Sequence, residues 1–264
     1  MNILDKIIAD KYKEVELKKS LIPVKQLETS VLFDRDTCSL AKALRQSDTG
    51  IIAEHKRRSP SKAVINQSVS VQTVASNYEK AGACGMSVLT DGKYFGGSLE
   101  DLLLARASAR FPLLRKEFIV DEYQLLEAKA YGADVVLLIA AVLTKEEIKT
   151  LSKFAKSLAL DVLLEVHNQE ELEKSIMPSL DMLGVNNRNL KSFEVSTAIS
   201  KELSFLIPDD FVKVSESGIS NIEAINDLKQ YGYQGFLIGE NFMKTENPGA
   251  SASEFIKKMT ITQK

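Results

Sequence analysis

The run IIAEHKR (51–57) places Glu54 and Lys56 two positions apart at the end of a mostly apolar stretch. Side chains of a strand alternate between its two faces, so these two share one side and His55 takes the other. Comparable positions recur as Lys116 in LLRKEF, Glu165 in VLLEVH and Asn186 in LGVNNRN, and Ser217 closes DFVKVSES. Two lysines and two glutamates suit acid–base chemistry on a small polar molecule. Any one of these residues could be a solvated strand end or half of a structural ion pair. Burying an unpaired charge is costly, so their repetition at several strand ends favours one shared site.

Two glycine-bearing turns carry a second signal. SESGISN (215–221) and LIGENFM (237–243) each follow a candidate strand, the seventh and the eighth. Backbone N–H groups at such turns bind phosphate, and in barrels the loops after strands seven and eight are where it sits. KRRSPSK (56–62) follows the first strand; Pro60 breaks any helix there, and Ser59 and Ser61 can hydrogen-bond an anion. His55 is expected to pack toward the outer layer, and His167 to be structural or solvent-facing. Neither gives a metal constellation with a carboxylate neighbour at ligand spacing, so no metal is expected. Cys84 has no histidine beside it and no argument for nucleophilic catalysis.

The elements that would position these groups alternate strictly. Eight short β-branched or leucine-rich runs are GIIAEHK (50–56), GMSVLT (85–90), PLLRKEF (112–118), ADVVLLIA (133–140), LDVLLEV (160–166), DMLGVN (181–186), DFVKVSES (210–217) and QGFLIGE (234–240). Helix-period stretches lie between them, such as 71–82, 121–132 and 144–159. Several open on an N-cap residue and close on glycine, as from Asp121 to Gly132 and from Asn221 to Gly232. Strict alternation demands crossovers between parallel strands, hence an α/β fold. The spacing predicts a (β/α)8 TIM barrel over 49–264 with an N-terminal helical extension over 1–48, read as a single domain; a doubly wound open sheet is the competitor. At the N-terminus, Leu4, Ile8, Tyr12 and Val15 recur at helical spacing and predict a docked amphipathic helix, whereas residues 20–48 are polar and poorly patterned.

The 264 residues are 44% apolar and 27% charged with net charge −2, which excludes a disordered chain and gives no overall attraction to nucleic acid or an anionic membrane. No apolar stretch approaches the ~20 residues needed to span a bilayer. Two cysteines without metal spacing fit a reducing compartment, and the N-terminus has neither a signal-peptide core nor an acid-free presequence, so a cytoplasmic location is expected.

The run IIAEHKRRSPSK closely resembles the signature of the indole-3-glycerol phosphate synthases. The similarity continues in order through VLTDGKYFGGS (88–98), LLRKEFIVDEYQ (113–124), LLEVHNQEEL (163–172), GVNNRNL (184–190), VSESGI (214–219) and LIGENFM. The resemblance implies a (β/α)8 barrel with a helical extension near the mouth. It also implies ring closure of 1-(2-carboxyphenylamino)-1-deoxyribulose 5-phosphate, with loss of carbon dioxide and water. It implies a phosphorylated small molecule as partner and no cofactor, and no obligate protein partner is implied; the charge balance and hydropathy above already argue against nucleic acid and membrane.

By the same resemblance Lys116 is the catalytic lysine, Lys56 the second lysine beside Glu54, and Glu165 the catalytic carboxylate. Asn186 and Arg188, with Ser217, orient the substrate. Phe95 and Leu190 flank its aromatic ring, and Gly218, Gly239 and the main chain of Glu240 cradle phosphate, assisted by Lys56 and Ser59. Which lysine and which glutamate serve each step stays open. Two departures stand out: His55 replaces a usual apolar residue, and Ala63 a common glycine. A sister barrel, phosphoribosylanthranilate isomerase, would need a cysteine at the first strand end, where this chain has Glu54 and Lys56. A non-catalytic barrel binding a phosphorylated ligand is the remaining alternative, against which the retained charged strand ends argue.

Overall fold

The computed structural model describes residues 3–189 and 194–262. Three helices come first: α1 (Ile3–Leu21), α2 (Val24–Glu28) and α3 (Leu40–Arg45). The alternation then runs β1 (Ile51–His55), α4 (Val71–Ala81), β2 (Gly85–Leu89), α5 (Gly92–Phe95), α6 (Leu99–Ser108), β3 (Leu113–Lys116) and α7 (Glu122–Ala130). It continues with β4 (Val135–Ile139), α8 (Lys145–Ser157), β5 (Asp161–Val166), α9 (Gln169–Ser175) and β6 (Met182–Asn186). The last elements are α10 (Ala198–Ser204), β7 (Val212–Glu216), α11 (Ile222–Lys229), β8 (Tyr233–Ile238), α12 (Glu240–Met243) and α13 (Pro248–Thr262).

Each of the eight runs singled out in the sequence forms a strand. The strands pair in parallel and in order, and β1 pairs with β8 through Ile51↔Phe236 and its neighbours, so the sheet closes. This excludes the open doubly wound sheet and gives a (β/α)8 barrel. Its crossover helices begin and end where local chemistry dictates. Asp121 and Thr144 close capping boxes at the starts of α7 and α8, and the Asn221 side chain caps α11. Gly82, Gly132 and Gly232 take φ of 88°, 86° and 82° beyond helix C-termini, where a side chain would be strained.

The period of two sorts the strand residues into two cores. Ile52, Leu114, Val135, Leu137, Leu163, Met182, Val212, Val214 and Leu237 fill the barrel interior. Their neighbours, among them Ile51, Ala53, Val136, Leu138, Val162 and Leu164, pack outward against the helices. The stretch before β1 contributes more than a polar connection. Leu40, Ala41 and Leu44 of α3 are buried and join the interior cluster, so α3 plugs the end of the barrel opposite the active-site loops. Gly85 and Gly235 leave room for it: a Cβ on either would lie 2.9 Å from Leu40 or 3.1 Å from Leu44.

The first helix is present, but its buried face is not the expected Leu4–Ile8–Tyr12–Val15 stripe. The buried residues are Ile7, Lys11 and Val15, and Tyr12 is 46% exposed. The face is rotated because Lys11 inserts its ammonium between Asp91 and Glu117, at 3.1 and 3.0 Å, with Glu14 at 2.8 Å. Asp10 accepts hydrogen bonds from Lys93 and Tyr94 of α5, so α1 is fastened across the mouth of the barrel. No helix among the described residues is long and apolar enough to cross a membrane.

Candidate active site

The inward rows of the barrel turn polar at their last positions. Ile52 is followed on its face by Glu54, Leu114 by Lys116, Leu163 by Glu165, and Val214 by Glu216; in β6 the row Met182–Gly184 ends on Asn186. Parallel strands in register therefore deliver a ring of charges to one end, the end where barrel loops assemble sites.

Lys116 stands at its centre. Its ammonium donates a short hydrogen bond to Glu216 and lies 3.4 Å from Glu165 Oε2. Lys56 pairs with Glu54 Oε1 at 2.7 Å, and Ser87 donates to Glu54 Oε2 at 3.3 Å. Burial disfavours the Lys116 ammonium, yet Glu216, Glu165 and Glu54 outweigh it and hold its pKa above the ordinary lysine value. Burial also opposes ionisation of Glu54 and Glu165; Lys56 and Lys116 overturn it for Glu54, and Lys116, His167 and the Asn186 hydrogen bond for Glu165, so both carboxyls stay below their usual range. Glu216 behaves in the opposite way. Burial, reinforced by the charge of Glu165, pushes it up to about 7 despite Lys116. Environments that push neighbouring carboxyls apart separate a proton-holding group from an ionised one.

Glu54, Lys56, Ser59, Phe95, Lys116, Glu165, Asn186, Arg188, Ser217 and Glu240 line one pocket. Its other wall is apolar: Ile3, Leu4 and Ile7 of α1 with Leu89, Phe95 and Phe118, the two phenyl rings 5.9 Å apart. An adjoining cleft is lined by Gly218, Ile219, Ser220, Gly239, Glu240, Asn241 and Lys244, and shares Lys56, Arg188 and Ser217 with the first. Ser217 and Gly218 both have left-handed φ, 69° and 74°, a conformation costly for a serine and a mark of a constrained functional turn. Asn187 holds that turn by donating to the Ser217 carbonyl at 3.0 Å. The Glu240 carboxylate receives Lys62 at 2.8 Å. The charged loop after β1 is tied down by Arg57 on Asp101 and by Arg58 on the carbonyls of Gly92 and Lys93.

The structure thus brings the expected residues together except Leu190, which lies outside the described residues. Gly218 is doubly constrained: its φ is left-handed, and an added Cβ would lie 2.2 Å from Val195 Cγ1. Of the two alternatives expected for His167, structural or solvent-facing, the first holds: its side chain is 8% exposed, and it lines the pocket. Glu216 was missed altogether, although the alternation Val212–Val214–Glu216 pointed to it. His55 is buried as expected; burial and the nearby Arg57 lower its pKa to about 4. Cys84 packs against the interior cluster at the plugged end, away from the mouth. Among the described residues no group of three or more His, Cys, Asp or Glu side chains is arranged to hold a metal ion.

The family described as indole-3-glycerol phosphate synthase matches residues 4–255. The indole-3-glycerol phosphate synthase of Bacteroides thetaiotaomicron is 48% identical over 256 residues, covering 97% of this chain and 98% of that protein. That of Aquifex aeolicus is 44% identical over 247 residues, covering 93% and 96%. Among solved structures, a KGPDC from Streptococcus mutans superposes with a TM-score of 0.61 at 12% identity, covering 81% of this chain and 98% of that one, a likeness of fold alone. With the motifs in family order, the charged ring in place and relatives matching nearly end to end, the chain belongs to the indole-3-glycerol phosphate synthase family.

Proposed function

We propose that this site closes 1-(2-carboxyphenylamino)-1-deoxyribulose 5-phosphate to indole-3-glycerol phosphate, with Lys116 as the acid of ring closure. The observation that carries the reading is Lys116, an ammonium held by three carboxylates on the floor of a pocket with one apolar wall and a glycine-turn cleft at its side. The phosphate occupies the cleft between the turns after β7 and β8, within reach of Lys56. The anthranilate ring lies against Phe95, Phe118 and the first turns of α1. The ribulose ketone then lies between the two, over Lys116.

In ring closure the ring carbon bearing the carboxylate bonds to the ketone carbon, and the carbonyl oxygen takes a proton from Lys116. A positioned acid of this kind contributes about 10²–10⁴-fold. Lys56 balances the substrate carboxylate until it leaves as carbon dioxide and the ring regains its aromaticity. Glu165, ionised, stabilises the positive charge that develops on the anilino nitrogen. The hydroxyl formed from the ketone then departs as water after protonation by Lys56, and Glu165 removes the neighbouring ring proton. Glu216, holding its proton to near-neutral pH, restores Lys116 between the steps. Asn186, hydrogen-bonded to Glu165, fixes that carboxylate; Ser217 and Arg188 line the passage between ring pocket and phosphate cleft.

The test is direct. Purified chain mixed with this substrate in the presence of a chelator should develop indole fluorescence, and Lys116→Ala should slow it by ~10²-fold or more. Turnover of phosphoribosylanthranilate instead, or binding of the substrate without turnover, would refute the reading.

A further inference from the structure

His167 leaves β5 two residues after Glu165 and turns back under the mouth instead of outward. Its backbone N–H donates to Glu171 Oε2 at 2.8 Å, and its Nδ1 lies 3.1 Å from the same oxygen. Glu171 belongs to the first turn of α9, whose N-cap Asn168 it also receives at 2.9 Å, so the carboxylate is a fixed anchor. With Nδ1–H committed to Glu171, the ring presents Nε2 to the pocket. That atom is buried and forms no hydrogen bond among the described residues, yet it lies 3.4 Å from Glu165 Oε1. Glu165 is therefore gripped from both sides, by Lys116 on Oε2 and by His167 on Oε1.

We propose that His167 is a positioning residue for Glu165: anchored by Glu171, it holds Glu165 from the side opposite Lys116 and, as an imidazolium, keeps it ionised for its part in the reaction. The charges that face the imidazole are Glu165 on its own strand, Glu171 from α9 and Glu216 from β7, with Lys116 of β3 beyond the two pocket carboxylates. Burial works against the imidazolium, but the bond to Glu171 and the charges of Glu165 and Glu216 prevail, so its pKa lies above the ordinary histidine value. The influence is reciprocal, since whatever favours the imidazolium beside Glu165 favours the carboxylate beside His167 to the same degree. The role assigned to Glu165 rests on the function proposed above; the His167–Glu165 coupling itself does not.

The chain has two histidines, which makes a residue-resolved titration practical. Imidazole NMR signals followed from pH 4 to 9 on the substrate-free protein should show one ring, His167, titrating above the ordinary range and His55 far below it. Glu165→Gln should lower the His167 midpoint by about one pH unit, the scale expected for losing one facing charge. An unchanged midpoint overturns the proposal. Should Glu165→Gln fail to fold, His167→Gln gives the second reading: the acid limb of its kcat/KM profile should move to higher pH, with KM nearly unchanged. A uniform loss of activity at every pH, with the limb in place, would mean a purely structural histidine. The NMR titration needs no substrate, so failure of the proposed reaction and failure of the coupling are separable.

Discussion

Gly239 is glycine because Glu54 occupies the space its side chain would need. A Cβ on Gly239 would lie 2.5 Å from Glu54 Oε1 and 3.1 Å from Glu54 Cβ. The turn after β8 and the carboxylate that pairs with Lys56 are thus packed directly on one another, joining phosphate cleft to catalytic ring. Gly184 stands in the same relation to Glu216, 2.5 Å from a built Cβ to Oε1. Two of the three carboxylates around Lys116 therefore depend on an absent side chain on, or just after, the neighbouring strand.

Gly239→Ala should accordingly act on chemistry as well as on phosphate. Displacing Glu54 disturbs Lys56, and kcat should fall by about tenfold or more, as sub-ångström misplacement of catalytic groups does. In a Glu54→Ala background the same substitution should cost little, because residues in contact couple in a double-mutant cycle. Equal losses in both backgrounds would show that Gly239 acts only through the phosphate.

The two lysines should separate kinetically. Lys116→Ala removes a proton donor used in the transition state and should lower kcat by ~10²-fold or more with a modest change in KM. Lys56→Ala removes a cation from a bound anion as well and should raise KM more. Steady-state kinetics that showed an unchanged kcat for Lys116→Ala would end this division.

Glu216 predicts a trade between stability and activity. Its folded pKa lies above its unfolded one, so the folded state binds the proton more tightly. The stability this contributes is fully present below the ordinary glutamate pKa and is lost as pH rises through about 7. Glu216→Gln removes the buried charge, so its Tm relative to the parent should rise between pH 5 and pH 8 while kcat falls. Thermal unfolding at the two pH values checks the sign; a Tm advantage that shrinks toward pH 8 contradicts it.

Much of this site was legible from the alternation of side chains along a strand. Glu54, Lys56, Lys116, Glu165 and Asn186 each sit where an apolar run ends, and period two alone puts them on the inner face. Glu216 escaped because Ser217 drew attention to the turn, though VKVSE carries the same alternation as VLLE. The face of α1 was beyond local reasoning. Apolar spacing favoured Leu4, Ile8 and Tyr12, whereas the burial of Lys11 depends on Asp91 and Glu117, partners that only the closed barrel brings to it. The choice between a structural and a solvent-facing His167 stayed open for the same reason: its neighbours Glu165 and Glu171 are close in sequence, but the direction of the ring is set by the turn between β5 and α9.

Lys11 carries the clearest stability prediction. Its side chain is 2% exposed, and those of Asp91 and Glu117 are 2% and 1%. Lys11→Met would leave two buried carboxylates without their shared cation, a loss of about 3–5 kcal/mol in comparable cases. Adding Glu117→Gln should recover part of it. Denaturant unfolding of the single and double variants measures both, and a single variant as stable as the parent would mean that solvent reaches the cluster.

The phosphate cleft gives the last prediction. Gly218 combines a φ of 74° with a built Cβ only 2.2 Å from Val195, so any side chain must move the turn, Val195 or both. Gly218→Val should therefore weaken substrate binding and abolish competitive inhibition by inorganic phosphate together, since both ligands use the same backbone. Glu240 should be far more tolerant. Its carboxylate is 47% exposed and engaged by Lys62, which lowers its pKa and turns the charge toward the loop after β1. Exposed ion pairs of this kind contribute at most about 1 kcal/mol, so Glu240→Gln should change either affinity by less than about tenfold. Inhibition constants for phosphate in the two variants decide the matter: if Gly218→Val is inhibited as well as the parent, the anion binds instead on the Lys56–Lys62 loop.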